Sequence, residues 1–200
     1  SYCQAFFIYA LSSYYRASGD KNALKLAYEI MDLVEKYATD DVAYLETMAR
    51  DWKSELQNDE LSENGLMADK TMNTTLHLME AYTELYLADH SPKVLDRLKF
   101  QLDLTYDKIY DKEGHKLLVF FDRNMDVIGD IHSYGHDIET AWLIDRGCKV
   151  LDDPELTQKM YAITRDLTAQ IYKVAFDGHS LANECDRGVV NVHRVWWVQA

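Results

Sequence analysis

Apolar positions recur at helical spacing along most of this chain. Phe6, Phe7, Ala10, Leu11 and Tyr14 follow the i, i+3, i+4 rhythm of a helix that ends at Gly19. Asp20 then caps a second helix carrying Leu24, Ala27, Ile30, Met31 and Val34, so the first forty residues read as a helical hairpin. The pattern predicts a third helix over 42–52, a polar connection over 54–70 marked by Asn58, Asp59, Asn64 and Gly65, and a return to helix over 71–87. Ser91-Pro92 and Asp153-Pro154 each set a capping side chain before a proline at the first helical position, which starts helices over 92–109 and 154–174. Between them, 116–121 and 127–131 read as strands around a turn at 124–126, a small β-hairpin, and helix resumes over 134–150.

Helices with polar side chains on an apolar face start near Tyr2, Asn73, His136 and Trp196. The recurrence suits units of two helices plus connections. An open row of such units leaves its apolar flanks uncovered unless polar caps close it. Here the chain starts at Ser1-Tyr2-Cys3 and stops on Trp196-Trp197-Val198, both apolar helical text. The expectation is a ring of helix pairs completed by units beyond this segment.

Composition sharpens the fold class. Only 8 Gly and 2 Pro in 200 residues exclude a turn-dense all-β chain and point to all-α. Lys and Arg number 21 against 34 Asp and Glu, a formal net charge of -13 that repels nucleic-acid phosphates and anionic membrane surfaces. No apolar run approaches the ~20 residues of a spanning helix. Cys3, Cys148 and Cys185 are odd in number and lack metal-ligand spacing, which suits free thiols in a reducing cytoplasm.

Three strings carry candidate chemistry. In the first, Asn73 and His77 are four residues apart and stack on one helical face; a capped helix start with an interior histidine is the plain alternative. In the second, His136 and Glu139 are three apart, so the carboxylate can orient the imidazole as a base. His132 and His136 have the i, i+4 spacing of metal ligands, but the His-Glu-x-x-His pattern is lacking and Gly135 weakens helix there, so no metal is assigned. In the third, Trp196 and Trp197 beside Gln199 are either a core cluster or a stacking platform for a sugar ring.

Met72-Asn73-Thr74-Thr75-Leu76-His77-Leu78-Met79-Glu80-Ala81-Tyr82, Tyr134-Gly135-His136-Asp137-Ile138-Glu139-x-x-Trp142 and Arg194-Val195-Trp196-Trp197-Val198-Gln199-Ala200 together resemble the N-acylglucosamine 2-epimerase family, and within it the cellobiose-epimerising branch. The resemblance covers almost the whole chain, with the three motifs in family order. It implies an (α/α)6 barrel of helical hairpins, of which these residues are about half. It also implies a family arginine before residue 1 and a second catalytic histidine after residue 200. Residues 1–200 are then an internal segment of a single (α/α)6 catalytic domain.

By the same resemblance His136 is a general acid/base, Glu139 its supporting carboxylate, and Asn73 and His77 hold the sugar's hydroxyls and carbonyl oxygen. Trp142 and Trp197 match site tryptophans, Trp196 is a second sugar-facing ring, and Tyr2, in Tyr2-x-Gln4-Ala5-Phe6, is a pocket tyrosine. The implied reaction needs no cofactor. It interconverts glucose and mannose at the reducing end of a β-1,4-linked disaccharide such as cellobiose or lactose, through an enediolate. Alternatives are an N-acylglucosamine 2-epimerase, an aldose-ketose isomerase or a glycoside hydrolase of like fold, and a helical-array binding protein. Histidine-rich motifs argue against the hydrolase, which needs a carboxylate pair.

Overall fold

The structure, a computed structural model, describes residues 1–53 and 66–200. Seven α-helices appear among them: α1 (Tyr2–Ser18), α2 (Lys21–Tyr37), α3 (Met72–Asp89), α4 (Pro92–Leu104), α5 (Tyr134–Leu151), α6 (Pro154–Val174) and the short α7 (Trp196–Gln199). Helices α1, α3 and α5 pack side by side as a row, and each is backed by its successor α2, α4 or α6. These are the helical hairpins of an α/α barrel, as the periodicity and the resemblance led one to expect. Helix α3 is buried on nearly all sides, as a helix inside such a wall must be. Between α1, α2 and α3 the core contains Ile8, Met31, Val34, Leu78 and Leu85; between α3, α4, α5 and α6 it contains Met79, Leu98, Leu102, Ile144 and Ile163.

The local start and stop signals act as read. Gly19 takes the left-handed conformation (φ 72°) that ends α1, and the Asp20 side chain accepts the Asn22 N–H to open α2. Asp153 accepts the Leu156 N–H ahead of Pro154. Helix α4 is shorter than expected, because residues Thr105–Ile109 form a π-helical turn.

The expected helix over 42–52 does not form. Asp40 Oδ1 accepts the N–H groups of Val42 and Ala43, both at 2.9 Å, and folds the chain back so that Thr39 bridges Tyr44. Tyr44 is thereby fully buried: its hydroxyl donates to Glu35 (2.9 Å) and accepts from Arg97 (2.9 Å) and Gln101 (3.2 Å), while Tyr82 donates to the same Glu35 oxygen at 2.6 Å. That tertiary anchor, joining α2, α3 and α4, outweighs a modest helical preference. Of the expected polar connection, 54–65 lies outside the described residues; residues 66–69 are non-helical and lead into strand β1 (Lys70–Thr71).

The chain also reverses near 124, with Asp122 accepting the N–H groups of Asn124 and Asp126 and an isolated bridge from Phe121 to Val127. The flanking residues take their main partners elsewhere. Strand β2 (Tyr110–Asp111) pairs with β3 (Lys116–Leu117), and β4 (Phe120–Phe121) pairs with β1. Strand β5 (Ile131–Ser133) pairs with β6 (Glu184–Asp186), which pairs with β7 (Val189–Asn191) across Arg187 and Gly188, both at positive φ. Strands β1 and β5 lead directly into α3 and α5, so this small β layer fixes where those helices begin. At the other end of the wall, buried Glu84 of α3 pairs with Arg16 of α1 and Arg146 of α5, which ties the three inner helices together. No helix among the described residues is long and apolar enough to cross a membrane.

Candidate active site

His136 sits in the first turn of α5. Its Nδ1 lies 2.7 Å from the Ser133 hydroxyl, and its ring packs at 4.8 Å, inclined by 45°, against Trp197 of α7. Gly135 makes that packing possible: a Cβ there would come within 2.6 Å of the Trp197 ring. Burial, and then the neighbouring His77, push the His136 pKa down to about 4. The imidazole is therefore neutral near pH 7 and able to accept a proton.

His77 faces it from α3. Its Nδ1 is 3.2 Å from Glu80 Oε2, the edge of Tyr2 meets its ring at 5.0 Å, and Phe6 lies against it at 4.8 Å. Burial raises the Glu139 carboxyl against the pull of His77, and Glu80 raises it further. Burial and then Glu139 raise the Tyr2 phenol. One turn before His77, Asn73 Oδ1 is buried with no hydrogen-bond partner among the described residues. A buried amide oxygen left open is costly unless a ligand hydroxyl completes it.

The structure thus brings His136, His77, Glu139, Tyr2 and Trp197 together from α1, α3, α5 and α7, with Asn73 on the same strip of α3 as His77. Glu139 bears on His77 across the helix pair, whereas the Nδ1 of His136 is held by Ser133. Trp142 and Trp196 make no ring contact with these side chains among the described residues. Trp142 is half exposed and lines a surface depression with Ile138, Ala141, Thr164, Thr168 and Tyr172, and Trp196 is 80% exposed. His132 is engaged elsewhere: its Nε2 is 2.7 Å from the fully buried Asp137, which also accepts the Leu117 N–H. Among the described residues no group of three or more His, Cys, Asp or Glu side chains is arranged to hold a metal ion.

Ser133, Glu80 and Phe6 are site neighbours that sequence reasoning passed over. A signal for Glu80 was present, since His77-x-x-Glu80 repeats the spacing of His136-x-x-Glu139. For Ser133 there was none, because a serine ahead of a helix reads as an ordinary cap.

The profile of the N-acylglucosamine 2-epimerase (GlcNAc 2-epimerase) family matches residues 1–200. The cellobiose 2-epimerase of Ruminococcus albus is 52% identical over 200 residues, which are 100% of this chain and 51% of that protein. Among solved structures, a sugar epimerase from a ruminal bacterium superposes with a TM-score of 0.95 at 51% identity, covering 98% of this chain and 50% of that one. The cellobiose 2-epimerase of Bacillus thermoamylovorans B4167 superposes with a TM-score of 0.89 at 41% identity, covering 98% and 51%. The chain spans about half the length of the relatives it matches.

Proposed function

Because this chain belongs to the N-acylglucosamine 2-epimerase family, we propose that it is one half of a single barrel domain that epimerises C2 of the reducing-end sugar in β-1,4-linked disaccharides, cellobiose first among them. The observation that carries the reading is the pairing of two histidines on adjoining inner helices, His136 partly buried and neutral and His77 buried beside it, with an open amide oxygen at Asn73. Epimerisation requires an opened aldose, loss of the C2 proton, a stabilised enediolate and protonation of the opposite face. His136 takes the C2 proton at Nε2 while the C2–H electron pair moves into the C1–C2 bond and charge collects on O1. His77 and Asn73 hold O1 and O2, Glu139 and Glu80 keep His77 oriented, and Trp197 backs His136. A second histidine, outside these 200 residues, returns a proton to C2 from the other side. The free thiols of Cys3, Cys148 and Cys185 suit a cytoplasmic enzyme.

Chromatography of products from the full-length protein fed cellobiose, lactose and N-acetylglucosamine tests the substrate class. Glucosyl-mannose from cellobiose is the expected result; N-acetylmannosamine alone overturns the disaccharide assignment.

The lowered His136 pKa also sets a pH dependence. Protonation removes the base, so activity is lost as pH falls through the pKa of the folded protein. With that value at about 4, kcat/KM is expected to stay level from pH 7 to about 5 and to fall below it. A break near the ordinary histidine value of about 6.5 contradicts this.

A further inference from the structure

Ser133 is the N-cap residue of α5, where a serine hydroxyl ordinarily accepts a backbone N–H of the first turn, yet it makes no capping bond. The matching residue of the neighbouring inner helix does: Thr71 accepts the Thr74 N–H at 3.0 Å. Ser133 is buried at 7% exposure, and its hydroxyl lies instead 2.7 Å from His136 Nδ1. No hydrogen bond from the described residues reaches His136 Nε2. On its own face the ring is held against Trp197.

Resting on the proton-transfer reading above, we propose that Ser133 is a positioning residue that accepts the Nδ1–H of His136 and so fixes the tautomer whose Nε2 lone pair is offered to the sugar. A neutral imidazole that is to take a proton at Nε2 must carry its own proton at Nδ1. After the transfer both nitrogens carry protons, and Nδ1 still needs an acceptor. A hydroxyl oxygen accepts in both states, so nothing has to turn over during the reaction. A carboxylate in that place would accept as well, but it would also favour the imidazolium and raise the pKa of the base. The uncharged hydroxyl fixes the tautomer while burial keeps the ring neutral. Glu80, a carboxylate, does hold His77 in the corresponding way, which marks the two histidines for different duties: His77 towards oxygen, His136 towards the C2 proton.

The test is made on the full-length protein labelled with 15N-histidine, with the His136 signals identified by their loss in His136→Asn. At pH 7 the wild-type ring is expected as the Nδ1–H tautomer, and Ser133→Ala is expected to shift it towards Nε2–H. In the same variant kcat should fall about ten- to hundredfold, with KM within about twofold of wild type and the melting temperature nearly unchanged. Ser133→Thr, which keeps the hydroxyl, should recover most of kcat. A wild-type Nε2–H tautomer overturns the proposal whether or not the variants fold. So does a Ser133→Ala protein that keeps its turnover while His136→Asn loses it, and so does a lost turnover with an unmoved tautomer. If His136→Asn itself keeps wild-type turnover, the proton-transfer reading fails and takes this one with it.

Discussion

His136→Asn in the full-length protein should lower turnover by about two to four orders of magnitude, the usual range for losing a positioned general base. Asparagine is close to histidine in size and still offers a polar atom towards Ser133, so the packing against Trp197 and the start of α5 are largely preserved. The melting temperature should therefore stay near the wild-type value. What asparagine lacks is a nitrogen that can take a proton near neutral pH. KM should change little, since His136 is assigned no part in holding the sugar's hydroxyls. The check is steady-state kinetics on cellobiose beside a thermal melt. Wild-type turnover in a folded variant removes His136 from the mechanism.

The second large effect is expected at Gly135, a residue with no chemistry of its own. Two opposed terms bear on Gly135→Ala. Alanine is the better helix former by about 1 kcal/mol, which by itself predicts a more stable protein. Against this, the added Cβ meets the Trp197 ring at 2.6 Å and the Val198 side chain at 2.9 Å, and overpacking of this kind costs about 1–3 kcal/mol. The clash is with ring atoms and a branched methyl, which cannot yield as the end of a flexible side chain would. Strain therefore wins, and the variant should melt below wild type. Relief of the strain moves Trp197 away from His136, and a displacement of about 1 Å at a reacting group can cost roughly a hundredfold in rate. Turnover is thus expected to fall by about two orders of magnitude, more than the loss of stability explains. A more stable and fully active Gly135→Ala protein would show that α7 does not hold His136 in place.

These effects mark how far the amino-acid sequence alone reaches. Gly19 with Asp20 and Asp153 with Pro154 are local devices, and each acts where it stands; Pro92 likewise opens α4, although the Ser91 side chain before it makes no capping bond. The 42–52 segment is different, because its conformation is decided by what Tyr44 meets on α2, α3 and α4. The strand partners of 120–121 and 131–133 are likewise non-local, coming from residues 70–71 and 184–186, whereas 116–117 pairs locally with 110–111. At the site, spacing along one helix is enough to single out His77 with Asn73 and His136 with Glu139. It does not tell which side chain holds which ring, and here Glu80 reaches His77 Nδ1 while Ser133 takes His136 Nδ1. Trp142 follows the same helical spacing from Glu139, yet its side chain lines the depression between α5 and α6. The Gly135 contact depends on a residue 62 positions later in the chain, Trp197, which no local pattern connects to it.

The central claim is that an imidazole removes the C2 proton and that C2 is then reprotonated, and solvent isotope tests it most directly. Cellobiose is incubated with the full-length protein in deuterium oxide and the mannose-ended product is analysed by NMR and mass spectrometry. An imidazole that exchanges with solvent before the proton is returned leaves deuterium at C2, and that label, with little ketose formed, is the expected result. Product that keeps its original hydrogen at C2, or a mixture dominated by ketose with deuterium at C1, would contradict the proposed epimerase.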